Sequence, residues 1–491
     1  MASTNISFST IPASIRKPGV YTEINTALAV RGLPTNAQKV VIIGQQTSSA
    51  TVAASTLTQI FSDSDAALYA GQGSVVHRMS KALLDANPNL ARLDYVGLAD
   101  PSGAAAKAYA LFTGVAAVAG TVDLYVDNHH VSYPIAAADT SANIAGALCS
   151  GLAQYSAELA ATASFTGSCV AFTARNVGLV GNQIPVSYVI AGATGIISSC
   201  TGFNGGTGDP NIGTSATGCL SAIASAGHNV IALGNKDTGN AALLKTYLDW
   251  VSSSTEQRPA IAVMGYTDLS TGTGHYSLVK TLGATTCNHG RITLAYLPSV
   301  STVGLEASAY YIGAAYAGVI AAQEDPAQPY NNEKISGLPA VNYTDRLTRT
   351  QQEDLLSNGV TPLIVDSGEN VVICRAISTY VTNAAGVVDP SLLDLTTIKT
   401  LDYVRAATRQ RLALRFPNNK LSARTPTLVR AEVLDVLYLL EKLEILYNVK
   451  ANESGVLVER DLQDVNRLDI RIPAQVVPGL HVIAERIDLL F

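Results

Sequence analysis

Four short runs of almost unbroken apolar residues constrain this chain more than any other feature: "KVVIIGQ" (39–45), "NVIALGN" (229–235), "PAIAVMGY" (259–266) and "RITLAYLP" (291–298). A strand-length run with no polar alternation is the pattern of a strand buried on both faces of a mainly parallel sheet, which needs helices over each face. Helical patterns follow the last three, in "NAALLKTYLDWVSS" (240–253), "YSLVKTLGA" (276–284) and a segment that includes "AYYIGAAYAGVIAA" (309–322). Strand and helix alternate, so an α/β core is predicted.

Between the first run and the other three the composition changes. From Pro101 to Gly213 the only charged residues are Lys107, Asp123, Asp127, Asp139, Glu158, Arg175 and Asp209, and the strand signals are short: "TVDLYVDNHHVSYPI", "SCVAFTAR", "QIPVSYVI". Asp127-Asn128 marks a hairpin turn, and Asp139 to Ser141 are placed to cap a helix through "ANIAGALCSGLAQYSAEL". A small, surface-facing α+β domain over 101–213 is therefore expected to interrupt an α/β core of 36–100 and 214–335. The chain re-enters that core through the Gly-rich "NGGTGDPNIGTSATG" (204–218).

After "EDPAQPYNN" (324–332) an α+β C-terminal domain is expected over 336–478. Its clearest element is an amphipathic helix opened by Thr425 and Pro426, with Val429, Val433, Val436, Leu437, Leu440, Leu443 and Tyr447 at helical spacing. The two ends read as extended β arms, 1–35 and 479–491. "KPGVYTEINTALAV" (17–30) is β-rich after Pro18-Gly19, and "HVIAERIDLLF" (481–491) sets Ile487, Leu489 and Phe491 on one face of a strand. Polar, frayed residues are usual at a terminus, so both runs are read as strands in need of partners.

Charged residues make up only 14% of the 491, against a usual share of about 25%. Much of the surface is therefore weakly charged or covered by other subunits, which favours an assembly component. A net charge of −6 gives no electrostatic ground for general nucleic-acid binding, and the expected partner is protein. Residues 1–16 lack an apolar stretch after a basic start, so folding in the cytoplasm is expected. The longest apolar stretch, 309–322, is shorter than the ~20 residues that cross a bilayer, so no membrane partner is expected.

Candidate chemistry is sparse. "GTSATG" (213–218) with Asp123 or Asp127 and His129 or His130 upstream follows the Asp, His, Ser order of subtilisin-like proteases. However, a working triad needs an exposed Ser on a rigid turn beside an oriented His, whereas Ser215 falls in a Gly/Thr linker. "GFNGGTG" (202–208) lacks the GK[ST] ending of a phosphate loop. His275 and His289 stand alone, and Cys149, Cys169, Cys200, Cys219, Cys287 and Cys374 show no zinc-ligand spacing. No catalytic set, metal site or cofactor is expected. One charge feature does stand out: from Tyr403 to Ala431, Arg405, Arg409, Arg411, Arg415, Lys420, Arg424 and Arg430 occur with no Asp or Glu. It is either a docking face for an acidic partner or a solvated face paired with acids from elsewhere in the fold.

In order, "PGVYTE" (18–23), "VVIIGQ", the low-charge insert, "LLSNGVTPLIVDSGENVVICRAIST" (355–379) and the β-like terminus resemble the tail sheath proteins of contractile-tailed bacteriophages, in particular the Mu-like group. The resemblance covers nearly the whole chain. It implies identical subunits in stacked, hexameric rings around a tail tube protein, with baseplate and tail terminator proteins as further partners and the virion tail as the location. It also implies that terminal arms add strands to neighbouring subunits, with Val20, Tyr21 and Ile24 at one end and Val482, Ile487, Leu489 and Phe491 at the other. Arg405, Arg409, Arg411, Arg415, Lys420, Arg424 and Arg430 become candidate contacts to the tube, and the implied action is contraction that drives the tube through a host envelope. A sheath of a phage-like bacteriocin or secretion machine shares these features, and a subtilisin-like hydrolase is the remote alternative. Thiols stay reduced in the cytoplasm. In released particles Cys149, Cys169, Cys200 and Cys219 are candidates for disulfides between subunits wherever Cα atoms approach within about 7 Å.

Overall fold

A computed structural model of the chain describes residues 16–22, 33–267, 276–298 and 304–490. Ile24, His275 and Phe491, named above, lie outside the described residues. Two compact units emerge: a larger one of Asn36–Thr400 with the segment from Pro478 onward, and a smaller one of Leu401–Val477 with the segment up to Thr35.

In the larger unit, β1 (Lys39–Gln45), β2 (Leu57–Ile60) and β3 (Arg92–Leu98) are followed by seven strands that leave the main sheet. These are β4 (Ala105–Val118), β5 (Gly120–Val126), β6 (His129–Ile135), β7 (Ala161–Thr166), β8 (Cys169–Val177), β9 (Val186–Ala191) and β10 (Thr194–Asn204). The chain returns with β11 (Val230–Leu233), β12 (Ile261–Tyr266), β13 (Ile292–Tyr296), β14 (Thr361–Val365) and β15 (Val371–Ile373). The main sheet has the order β15-β14-β13-β12-β11-β1-β3-β2, parallel throughout except for β2 and β15 at its margins. All four apolar runs of the sequence lie in it side by side.

Alternate residues of each central strand enter opposite cores. Val40 and Ile42 face the helices Val75–Ala86 and Ala309–Ala322, while Val41 and Ile43 face Gly218–Ile223 and Thr238–Val251. The helix Ala309–Ala322 is buried around almost its whole circumference because its small residues permit close approach. A Cβ built on Gly313 would fall 2.5 Å from the Gly265 nitrogen of β12, so this helix touches the sheet backbone to backbone, and only glycine fits there.

The region expected as a separate insert forms a four-stranded sheet, β10-β4-β8-β7, and a three-stranded sheet, β6-β5-β9. Both pack with the helix Ser141–Leu152 around a hydrophobic cluster of their own, and the Thr140 side chain caps that helix by accepting from the Asn143 N–H. The expected boundary near residue 335 is displaced. β14 continues the parallel ladder from β13 and β15 folds back on β14, so residues 336–400 stay with the main sheet and the division falls at Thr400–Leu401. The outward edge of β15 is itself occupied: Asn332 and Ile335 donate backbone N–H groups to Ile373 O and Val371 O, and Ile373 N–H donates to Glu333 O.

The smaller unit packs the helix Thr425–Lys442 on the part of Leu395–Arg415 from Leu401 onward, with a hairpin of β16 (Leu457–Arg460) and β17 (Leu468–Arg471). Pro426 stands in the first turn of its helix, as the sequence predicts, and Tyr403 Oη donates to Pro34 O.

A fully buried ion pair joins parts of the larger unit. Arg78 on the helix Val75–Ala86 and Asp127 in the β5–β6 turn meet at 2.5 Å with both side chains fully buried. Asp127 takes the left-handed conformation, φ 53°, which that two-residue turn requires. Its other oxygen accepts from the Ser308 N–H and Oγ–H at 3.2 and 3.3 Å, at the start of the helix Ala309–Ala322. The Arg78 guanidinium also reaches Asn128 and lies 4.9 Å from the centre of the Tyr311 ring. Removing one partner of a buried pair strands the other charge, at a cost of about 3–5 kcal/mol. Asp127→Ala is therefore expected to lower the unfolding free energy by that amount in denaturant titrations, with Asp127→Asn losing less because it keeps an acceptor; a loss under about 1 kcal/mol for the alanine variant would contradict the anchoring role.

Candidate assembly surface

The C-terminal run sets the character of the surface. Beyond β17 the chain pairs briefly with its own unit, Tyr447 N–H donating to Gln475 O and Leu446 bridging Val476. From Pro478 onward it belongs to the larger unit, where Asn331 Nδ2 donates to Leu480 O. Residues 477–490 form no strand, although the sequence there is β-like. Val482 is 80% exposed, Ile487 85% and Leu489 75%, so three of the candidate arm residues sit in water without a ladder. At the other end Val20 is 97% exposed and Tyr21 is partly exposed. Such apolar side chains on unladdered backbone are the material from which a strand is added to another sheet.

The basic segment 403–431 divides into two sets. Arg411 is buried, with Nη1 2.9 Å from Asp435 and 3.3 Å from Glu432, and Arg415 lies 3.4 Å from Glu432. Arg430 donates to Val456 O and Glu453 O, and Arg405 pairs with Asp402 one turn earlier. Arg405, Arg411, Arg415 and Arg430 thus engage acids or carbonyls within the smaller unit, Arg411 and Arg415 through a helix hairpin that brings residues 432–435 against 411–415. Arg409, Lys420 and Arg424 are exposed.

The serine-protease constellation is not assembled as the chain order suggests. Asp127 is committed to Arg78. His129 Nε2 stands 3.3 Å from Glu158, with burial holding its pKa below the ordinary histidine value. Asp123 and His130 do meet, at 2.9 Å across β5 and β6, but Ser215 lies in the exposed turn Thr214–Thr217, outside those sheets. His289 pairs with Asp249 at 2.8 Å. Among the described residues no group of His, Cys, Asp or Glu is placed to hold a metal ion, and no helix is long and apolar enough to cross a membrane. All six cysteines are free thiols. Cys219 is fully buried against Gly97 O and Ser55, while Cys149, Cys169 and Cys200 are partly exposed; burial pushes the Cys200 thiol up to about 11.

A buried cation escaped the sequence reading. Lys399 sits wholly inside the larger unit, its Nζ donating to Tyr330 Oη at 2.5 Å and to Ile320 O at 3.1 Å, in the last turn of the helix Ala309–Ala322. Burial lowers its pKa to about 7, only partly countered by Asp325. Between pH 7 and the pKa of a free lysine, about 10.4, the unfolded chain binds the extra proton, so stability rises with pH across that window by at most about 1.4 kcal/mol per unit. Lys399→Met is expected to flatten this slope in denaturant titrations from pH 7 to 10; an unchanged slope would remove Lys399 as its source.

Comparison with known proteins places these features in a family. Residues 211–379 match the model of the phage tail sheath protein central domain and residues 387–489 that of the phage tail sheath C-terminal domain, together more than half of the chain. The Mu-like prophage FluMu tail sheath protein of Haemophilus influenzae is 27% identical over 502 residues, spanning 99% of this chain and all of the relative. Two solved structures share the fold. The sheath tail protein of Desulfitobacterium hafniense has a TM-score of 0.52 at 15% identity, over 94% of this chain and 97% of that one. That of Listeria innocua has a TM-score of 0.52 at 14% identity, over 92% and 94%. The chain belongs to the phage tail sheath family.

Proposed function

We propose that this sheath protein of contractile phage tails polymerises around a tail tube by lending its terminal segments to neighbouring copies, and acts mechanically rather than as a catalyst. The observation that carries the reading is the apolar, unladdered run 482–490, because exposed strand-forming backbone is satisfied when it augments another copy's sheet. The hairpin of β16 and β17 offers such a sheet, being only two strands wide. Val20 and Tyr21 supply the matching arm at the N-terminal end. Rings of identical subunits, a tube at their centre and baseplate and terminator proteins at their ends complete the assembly.

The free energy of contraction then comes from contacts between subunits that improve as the bodies rotate, while the arms keep successive rings joined. Lys420 and Arg424, exposed in the loop between the two helices of the smaller unit, are the cations we assign to an acidic tube surface. Arg411 contributes to the fold instead, since a carboxylate in its place would face Glu432 and Asp435.

Deleting residues 481–491 is expected to leave a folded, soluble protein that forms no long tubes in negative-stain microscopy; normal tubes from the truncated protein would refute the arm. Lys420→Glu with Arg424→Glu is expected to weaken co-sedimentation with tail tubes several-fold while the melting temperature holds. Wild-type binding should also fall as salt rises, because exposed charges are screened beyond about 10 Å at 0.1 M. Equal binding by the double variant would return this loop to the solvent.

A further inference from the structure

Four aspartates of this chain precede a proline: Asp100, Asp209, Asp325 and Asp389. At such a pair the aspartate side chain can reach the carbonyl carbon of its own residue through a five-membered ring, an attack that needs no second molecule. The nitrogen beyond that carbonyl is a tertiary amide, and once it has taken up a proton it leaves as the secondary amine of the proline ring. A carboxyl that is protonated and free to turn supplies both the attacking oxygen and the proton. Three of the four are held elsewhere. Asp100 accepts from Gln45 Nε2 at 2.9 Å and Asn176 Nδ2 at 2.8 Å, and Asp325 Oδ1 accepts the Ala327 N–H at 2.9 Å. Asp389 accepts the Ser391 N–H at 2.9 Å and Tyr380 Oη at 2.8 Å, bonds that hold its carboxyl below the ordinary range. Among the described residues the Asp209 carboxyl makes no hydrogen bond and no ion pair.

The backbone on either side of Asp209 is pinned while its side chain is not. Gly208 O accepts from the Leu179 N–H at 3.0 Å, and the buried Asn240, in the first turn of the helix Thr238–Val251, donates from Nδ2 to Pro210 O at 2.8 Å. Asn240 also binds the Asp237 carboxylate, through its N–H at 2.8 Å and its Nδ2 at 2.5 Å, and so fixes a second acid near the first. The segments 101–104 and 178–183, packed against Gly208, carry no charged residue. Lys236 points away, to Thr267 O and over the Tyr266 ring. Burial, and then the charge of Asp237, push the Asp209 carboxyl up to about 6.

We propose that the Asp209–Pro210 bond is a self-cleavage site, hydrolysed in mild acid by the side chain of Asp209. Its carboxyl oxygen adds to the Asp209 carbonyl carbon, the bond from that carbon to the Pro210 nitrogen breaks, and the carboxyl proton ends on the nitrogen. One water molecule then opens the cyclic anhydride, which leaves Asp209 as a C-terminal residue with both carboxyls restored and Pro210 as a new N-terminal amine. The event occurs once per chain and so is not turnover. The chain enters the small sheets after Asp100 and leaves them by this bond, so hydrolysis keeps only one covalent crossing. Fragments 1–209 and 210–491 stay together, because β1 pairs with β11 and Asp127 accepts from Ser308 across the cut.

The test incubates the full-length protein at pH 5.5 and pH 8, follows the fold by circular dichroism, and reads fragments on denaturing gels and by intact-mass spectrometry. Fragments 1–209 and 210–491 are expected to form at least tenfold faster at pH 5.5 than at pH 8, because the proton is lost across that interval. The rate is expected to be independent of protein concentration, which separates self-cleavage from a contaminating protease. Products of the Asp100, Asp325 and Asp389 bonds are expected at least tenfold more slowly. Asp209→Glu, which keeps the charge but enlarges the ring, and Pro210→Ala, which keeps the carboxyl but removes the tertiary amide, are each expected to lose the fragments. Asp237→Asn is expected to move the pH profile to lower pH. Folded wild-type protein that yields no fragments at pH 5.5, equal cleavage at all four Asp–Pro bonds, or cleavage that persists in Asp209→Glu would each overturn the inference. The readout needs no assembly, so its failure leaves the sheath reading untouched.

Discussion

A buried carboxylate ties three elements of the larger unit to one another. Asp127 occupies a turn of the small sheets, pairs with Arg78 on one helix of the main core and accepts from Ser308 at the start of another. Placing an anion at that helix N-terminus also engages the helix dipole. The region from β4 to β10 has few charges to spend on such a contact, so the position of its sheets against the main core depends heavily on this one turn. Lys81 with Glu158 at 3.0 Å and Gln45 with Val177 O at 2.7 Å extend the same joint with weaker, partly solvated bonds.

The smaller unit solves a different problem. Its basic segment would repel itself if left in water, and the helix hairpin neutralises two of its cations by laying Glu432 and Asp435 against Arg411 and Arg415. The cations left exposed, Arg409, Lys420 and Arg424, are thereby confined to one helix face and the following loop. A charge-poor chain that concentrates its exposed cations in this way has weak general repulsion between copies and strong local preferences about orientation.

The core strands were legible because burial on both faces leaves a mark that needs no knowledge of partners: an apolar run with no alternation. The β5–β6 hairpin was legible for a similar reason, since Asp-Asn at a tight turn reflects backbone geometry alone. The division at Thr400–Leu401 was not legible. It falls inside the helix Leu395–Arg415, with no glycine, proline or polar linker to mark it, whereas the Pro-rich "EDPAQPYNN" that suggested an earlier boundary is only a loop within the larger unit. The pairing of Arg411 was equally hidden, because its acids lie more than twenty residues away and are reached only once two helices pack. The terminal run 481–491 reads as a strand in sequence and forms none alone in the described residues. Its pattern is the one that the proposed strand exchange between copies would use.

The margins of the main sheet bear on a hazard that any crowded polymer of α/β subunits faces. An open parallel sheet invites uncontrolled edge-to-edge growth, in which any strand of any copy joins any other. Here the outward backbone of β15 is taken up by residues 332–335, and β2 at the opposite margin is only four residues long. With its largest sheet blunted in this way, the proposed strand exchange is left to small, peripheral elements. Copies at high local concentration would then favour one pattern of growth over amorphous precipitation.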